Sequence, residues 1–511
     1  MHIISQSAGF LLIAGFGLAM IILTWLASRD PRWGKTRVGF LVAGRDVHWA
    51  LAAPSIAASW IWAPALFVSV QKAYELGLPG IFWFTVPNIL ALVVFAWLAP
   101  QIRSRIPGGY TLPDWIRHRF GQRRLHLIYM VPYIWYQIMA VCVQIFVGGM
   151  MLTFLTGIPL NVNMLLLLLV GLAYSLISGL RASIVTDLLQ MIFILGGVFV
   201  IIPWVIGVAG FDAIGAGLGG LAQKTNILDP FVAFSFGIVT SIGLIAGSIS
   251  DQQYWQRSFA VKYEHLKKAF VVGGFLFGIV PIALSVLGFI AANPAMGISL
   301  PEGTGLPMIG VATVVKLLPL WAAVLFVVIL LSGLESTLDS ALCAASSLYA
   351  IDIAPMSEAD HEILRKERLQ IPLSEQERRA KEGLDLLAVR RSRTAMYGIS
   401  VLGLVTALIV QHLFPLDRLW WIFNGVASCF AVPTVLSVYW DRLSAKGAFW
   451  GIVASLIGLV PFVYGNWVQN DVITVLSAVG IIAVNLVCCL AFKRATPWKE
   501  GEPRGALASP A

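Results

Sequence analysis

The chain has 511 residues, 58% of them hydrophobic and only 12% charged, with a mean hydropathy of +0.83. A water-soluble domain has no place for that much apolar surface, because single cores stop growing near ~250–300 residues, so lipid is the expected solvent. The formal charge of +9 would point a soluble protein toward nucleic acid; in a membrane chain the placement of the charges matters more than their sum, and no nucleic-acid partner is expected.

Windows of ~20 apolar residues, enough to cross ~30 Å of hydrocarbon, predict about thirteen spans. They run near 7–28, 48–72, 77–100, 126–156, 160–178, 184–208, 230–250, 269–293, 319–350, 394–413, 419–440, 447–468 and 472–491. The first is too long for the apolar core of a signal peptide, and no positive charge precedes it. The second contains Ala58-Ser59-Trp60-Ile61-Trp62-Ala63-Pro64. Pro64 lacks an amide and crowds the preceding turn, so a break is expected there, freeing carbonyls of the kind transporters use to hold Na+. A proline kink without a ligand is the competing reading.

Ionisable groups inside spans cost at least about 2.5–3.5 kcal/mol each and are functional candidates by default. They are Asp187 in the sixth span and Glu335 and Asp339 in the ninth, with Lys72 nearer an outer end. In the ninth span Gly333, Ser336, Thr337 and Ser340 fall at i, i+3, i+4 and i+7, one stripe of a helix. Such a stripe either packs helices closely or turns oxygens toward a hard cation.

Segment 351–393 is the one sizeable polar stretch and reads as a solvated connector, with Ser357 and Asp360 as a possible helix cap. Every lysine and arginine except Lys72, Lys224, Lys316 and Arg418 falls in loops or tails on one side. That places the N-terminus outside, and loop 351–393 and tail 492–511 in the cytoplasm of a cell-membrane protein. The cysteines 142, 343, 429, 488 and 489 all lie in apolar stretches and read as packing residues. No HExxH, P-loop or nucleophile elbow occurs, so an enzyme is not expected.

The chain resembles the sodium:solute symporter family, from about residue 40 to 440. The likeness rests on Gly44-Arg45-Asp46, Tyr74-Glu75-Leu76-Gly77-Leu78-Pro79-Gly80, Tyr110-Thr111-Leu112-Pro113-Asp114-Trp115, Gly179-Leu180-Arg181-Ala182 leading to Thr186-Asp187, Tyr254-Trp255-Gln256-Arg257, and Ser336-Thr337-Leu338-Asp339-Ser340. The resemblance implies an all-α, LeuT-like transporter domain. After the first span come two inverted five-helix repeats, about 48–208 and 230–440, then two last spans within 447–491. Each repeat is expected to open with a broken helix, at Pro64 in the first and near Gly237 or Gly243 in the second.

The same resemblance implies a Na+ site made by the carbonyls of Ala58, Ile61 and Gly333 and the hydroxyls of Ser336 and Thr337. Some members hold a second sodium, which would fall at Asp187, Asp339 and Ser340. Glu335 stands where relatives carry an uncharged residue, which leaves open a protonated carboxyl beside Asp339 or a side chain in a hydrated inner vestibule. The expected activity is uptake of a small polar solute, such as urea, an amino acid or a small carboxylate, coupled to Na+ with no further cofactor. Proton coupling or a solute sensor are the alternatives. Trp60, Trp62, Phe236, Thr240, Trp421 and Asn424 are the residues expected around the solute. No arginine is expected at mid-depth, which argues against a strongly anionic one.

Overall fold

The computed structural model describes residues 3–29, 34, 36–177 and 179–498. Among them the chain is helical throughout, apart from one isolated bridge between Val47 and Val261. Eleven of the described helices are long and apolar enough to cross a membrane, and a bent pair raises the number to twelve. At the fifth expected span lies the helix Leu160–Ser175, whose 16 residues rise only about 24 Å. The loop cations Arg32 and Lys35 and the tail cations Lys499 and Arg504 lie outside the described residues.

The elements that build the site are α1 (Gln6–Ala27), α2 (Trp49–Trp60), α3 (Pro64–Leu76), α4 (Leu78–Arg105), α5 (Leu112–Phe120), α6 (Arg123–Thr156), α7 (Leu160–Ser175), α8 (Leu180–Ala209), α9 (Pro230–Ser250) and α10 (Gln252–Ala260). They continue with α11 (Leu266–Ala292), α12 (Leu320–Leu348), α13 (Glu358–Arg368), α14 (Glu375–Val410), α15 (Leu416–Tyr439), α16 (Ala445–Trp467) and α17 (Asp471–Ala491). Two packed groups emerge. The bent pair α2–α3 with α4, α9 and α11 forms one; α6, α7, α12 and α14 form the other. Their shared boundary runs along α2, α6 and α12, and α1 packs outside on α7 and α8.

Local chemistry explains the turns that fix this arrangement. Gly77 links α3 to α4 at φ 71°, where only glycine is unstrained, and a Cβ there would meet the Gly219 backbone at 2.4 Å. Segment 351–393 departs from the expected solvated connector. Ser357 and Asp360 form a reciprocal capping box that starts α13, and Ser374 with Glu377 forms a second that starts α14. Each box satisfies two otherwise unpaired amides. The apolar stretch expected at 394–413 is therefore the far end of a 36-residue helix. The polar segment is docked as well: Arg37, 1% exposed, pairs with Glu367 and Asp385, and Arg368 pairs with Asp114.

The two expected breaks fare differently. The pair α2–α3 bends by 73°. The stretch Pro230–Ser250 counts as one continuous apolar helix, with a π-helical turn over Ala233–Gly237. Gly237 supports that single wide turn without a chain break, and Gly243 packs its bare α-carbon against Asn424.

Candidate functional site

The break between α2 and α3 leaves backbone groups that a continuous helix would pair internally. Ile61 leaves the helical region with φ −79° and ψ 66°. Its amide is shared by the carbonyls of Ala57 and Ala58, both at 3.1 Å. Its carbonyl accepts the Thr337 hydroxyl of α12 at 3.2 Å. The Ser59 carbonyl accepts Tyr254 OH at 3.1 Å, and the Ala63 amide donates to Gln144 Oε1 at 2.9 Å. Side chains of three other helices thus hold the break open.

On α12 the stripe read from the sequence faces this break. A Cβ on Gly333 would meet Leu66 Cδ1 at 2.9 Å and Ile61 Cγ2 at 3.1 Å, so a bare α-carbon lets the rod approach the unwound strand. Ser336 lies one turn on and donates its hydroxyl proton to Asp187 Oδ1 at 2.5 Å. Ala58, Ile61, Gly333, Ser336 and Thr337 are all buried. Of these, Gly333 and Thr337 meet Ile61 between α2 and α12, while the Ala58 carbonyl accepts the Ile61 amide; neutral oxygens of this kind suit a hard cation.

Asp187, Asp339 and Ser340 divide between two sets of partners. Asp187 and Ser340 converge on Arg257, whose Nη2 reaches Asp187 Oδ2 at 2.8 Å and Ser340 Oγ at 2.6 Å. Asp339 turns to α7, accepting the Ser175 hydroxyl at 2.5 Å. No arginine was expected at mid-depth; Arg257, whose place in the sequence read as a loop, stands on α10 and is fully buried beside Asp187. Glu335 does not open into a vestibule either. It is 1% exposed, its Oε2 lies 2.8 Å from where a Gly171 Cβ would be, and Tyr174 OH donates to its backbone carbonyl at 2.6 Å.

Beside the break is a small cavity. Trp60, Trp62 and Asn424 line it, joined by Asn88, Tyr136 and Phe423. The Trp62 ring stacks on Phe423 at 5.4 Å, and Tyr136 OH donates to Asn424 Oδ1 at 2.6 Å. The indole N–H groups of Trp60 and Trp62 are buried without a protein acceptor. Phe236, Thr240 and Trp421 are not on this wall. Trp421 lines a separate cavity with Gly243 and Phe462, and Phe236 packs against Trp421 at 5.8 Å. The room left is ≈ 20 Å³, close to what a single water needs.

Polar pairs join helices on two sides of the break. On the α3 side Lys72 binds Asp417 at 2.9 Å and Glu75 at 2.8 Å. On the other, Asp352 accepts Thr111 at 2.7 Å and pairs with His126 at 2.8 Å. Screening spans for ionisable groups alone passed over Gln144, Asn88 and Tyr136. An amide or phenol within an apolar run is the signal that would have found them.

A profile of the Sodium:solute symporter family matches residues 40–455. The chain belongs to the sodium:solute symporter family. Among curated relatives, a urea–proton symporter of Oryza sativa subsp. japonica is 22% identical, with 88% of this chain and 64% of that protein aligned. The sodium/glucose cotransporter of Vibrio parahaemolyticus is 24% identical, over 87% and 82%. Against a urea active transporter of Saccharomyces cerevisiae, 25% identical, the alignment covers 68% of this chain and 51% of the yeast protein. The chain thus spans about half to two thirds of the length of the urea transporters it matches.

Among solved structures, a Na+-coupled sialic acid symporter in a substrate-bound outward-open state superposes with a TM-score of 0.71 at 17% identity, over 96% of this chain and 99% of that one. A nucleobase-cation-symport-1 family transporter gives 0.57 at 13% identity, over 91% and 95%. The fold is therefore LeuT-like, with eleven or twelve described helices long and apolar enough to cross a membrane.

Proposed function

We propose that this symporter couples inward Na+ movement to uptake of a small, neutral, polar solute of urea's kind by alternating access. The observation that carries the ion is the meeting of the Ile61 carbonyl and Thr337 hydroxyl at 3.2 Å across the break. Na+ entering there replaces the Thr337 proton as partner of that carbonyl. The carbonyls of Ala58 and Gly333 and the Ser336 hydroxyl complete five neutral oxygens, and no other cofactor is needed. With the N-terminus outside a cell membrane and the C-terminus in the cytoplasm, one charge crossing 100 mV supplies about 2.3 kcal/mol.

The solute's class follows from the cavity wall. No charged side chain lines it, which disfavours amino acids and carboxylates. The free indole donors of Trp60 and Trp62 suit a carbonyl oxygen, while the Asn88 and Asn424 amides suit a planar amide. Two relatives whose names specify urea support the same class.

The test is uptake of labelled urea into vesicles holding the purified chain. An inward Na+ gradient should drive accumulation at constant pH. Accumulation driven by external acid without Na+ overturns the ion, binding without accumulation identifies a sensor, and failure with urea but success with proline or a monocarboxylate overturns the solute.

A further inference from the structure

Far from the break, a cleft of ≈ 860 Å³ opens between α5, the start of α6, the turn that follows α12, and α13. Four arginines line it, Arg117, Arg123, Arg365 and Arg368, against the carboxylates of Asp352, Glu358 and Glu362. Most of these charges are already matched. Arg368 pairs with Asp114, and Arg365 holds Glu362 on its own helix at 2.6 Å. Asp352 takes His126 at 2.8 Å and Thr111 at 2.7 Å. Glu358 stands in the first turn of α13, where the helix dipole favours a negative charge.

Arg117 and Arg123 are left over. The Arg117 guanidinium reaches only two imidazoles, His361 Nδ1 at 3.4 Å and His126 Nε2 at 3.3 Å. A ring nitrogen that bonds a carboxylate carries the proton, so His126 Nε2, committed to Asp352, has no lone pair for Arg117. Burial and the charges of Arg117 and Arg368 push the His361 imidazole below its ordinary value, which leaves it a neutral acceptor at long range. The fork of Arg117 therefore faces the cleft without an anion. Arg123 is exposed at the first position of α6, a helix that starts without a side-chain cap and so offers its first amides to an acceptor.

The other wall is apolar. Leu127, Met130 and Ile134 of α6 line it with Ile353 and Met356. Leu127, Val131 and Ile353 are 52%, 49% and 43% exposed, so the wall runs on from the cations into the outer surface of a membrane-spanning helix. A soluble anion gains nothing from such a wall. A lipid uses both halves.

We propose that this cleft binds one anionic phospholipid, its phosphate held by Arg117 and Arg123 and its acyl chains laid along Leu127 and Ile353. A guanidinium fork matches phosphate oxygens two at a time, and basic pockets at the membrane surface hold such head groups.

The experiment is native mass spectrometry of the delipidated full chain in neutral detergent, titrated with phosphatidylglycerol, phosphatidylcholine or inorganic phosphate, with size-exclusion profiles confirming the fold. The first phosphatidylglycerol should bind about 30-fold more tightly than phosphatidylcholine, the share of two arginines. Arg123→Gln should cut that preference about 5-fold, and adding Arg117→Gln should abolish it. Arg124 is exposed beside Arg123 but does not line the cleft, so Arg124→Gln should leave the preference unchanged. Equal binding of the two lipids, or equal losses in Arg123→Gln and Arg124→Gln, overturns the site, and that comparison decides even if Arg117→Gln fails to fold. Inorganic phosphate bound as tightly as phosphatidylglycerol overturns the lipid as occupant in favour of a soluble anion.

Discussion

At the scale of single residues, the seam between Ile61 and α12 depends on an oxygen and on a missing Cβ. Thr337→Ala removes a ligand and should raise the Na+ half-saturation of uptake at least about 10-fold, a loss of ~1.4 kcal/mol, while Thr337→Ser, which keeps the hydroxyl, stays near wild type. Gly333→Ala forces a methyl to 2.9 Å from Leu66 and 3.1 Å from Ile61. Overpacking of this kind costs about 1–3 kcal/mol, so a lower Tm together with weaker Na+ dependence is expected, read by thermal unfolding and uptake on one preparation. The stripe itself was legible, because i, i+3 and i+4 spacing survives in any helix. Arg257 was not. Its partner Asp187 lies 70 positions away, and a cation among other cations reads as loop until the fold brings its counterion to it.

At the scale of elements, the contrast is between breaks and caps. Pro64 announces the bend of α2–α3 because a proline cannot continue a helix without losing a bond and clashing. In α9 no proline enforces a break, and glycine alone widened one turn. The segment 351–393 misled in the other direction. High charge density suggests solvation, yet the paired boxes at Ser357 with Asp360 and Ser374 with Glu377 are strong local start signals. Ser374→Ala should destabilise the first turn of α14 by about 1 kcal/mol, visible as faster amide exchange over residues 375–378, with little change in transport.

At the scale of the whole molecule, apolar run lengths revealed most of the spans, while the two repeats are an expectation drawn from the family motifs alone. Which helices adjoin the cavity depended on side chains such as Gln144 and Asn88 that carry no charge and so raised no alarm. Polar pairs tie helices together beyond the cavity. Lys72, 8% exposed, joins α3 to α15 through Asp417. Removing one partner of a buried pair strands the other charge, so Lys72→Met should favour opening on that side, measured as stronger iodide quenching of tryptophan fluorescence. Lys72→Met combined with Asp417→Leu should lose less stability than the sum of the single changes.

The uninterrupted helix Glu375–Val410 has a mechanical consequence. Its 36 residues extend about 54 Å at 1.5 Å per residue, well beyond a bilayer's hydrocarbon. A tilt of about 10° around its lipid-embedded end sweeps the opposite tip by roughly 9 Å at that length. A rod of that length would turn a small rocking motion into a larger displacement of its polar tip, and a spin label near its start would report it from outside the bilayer.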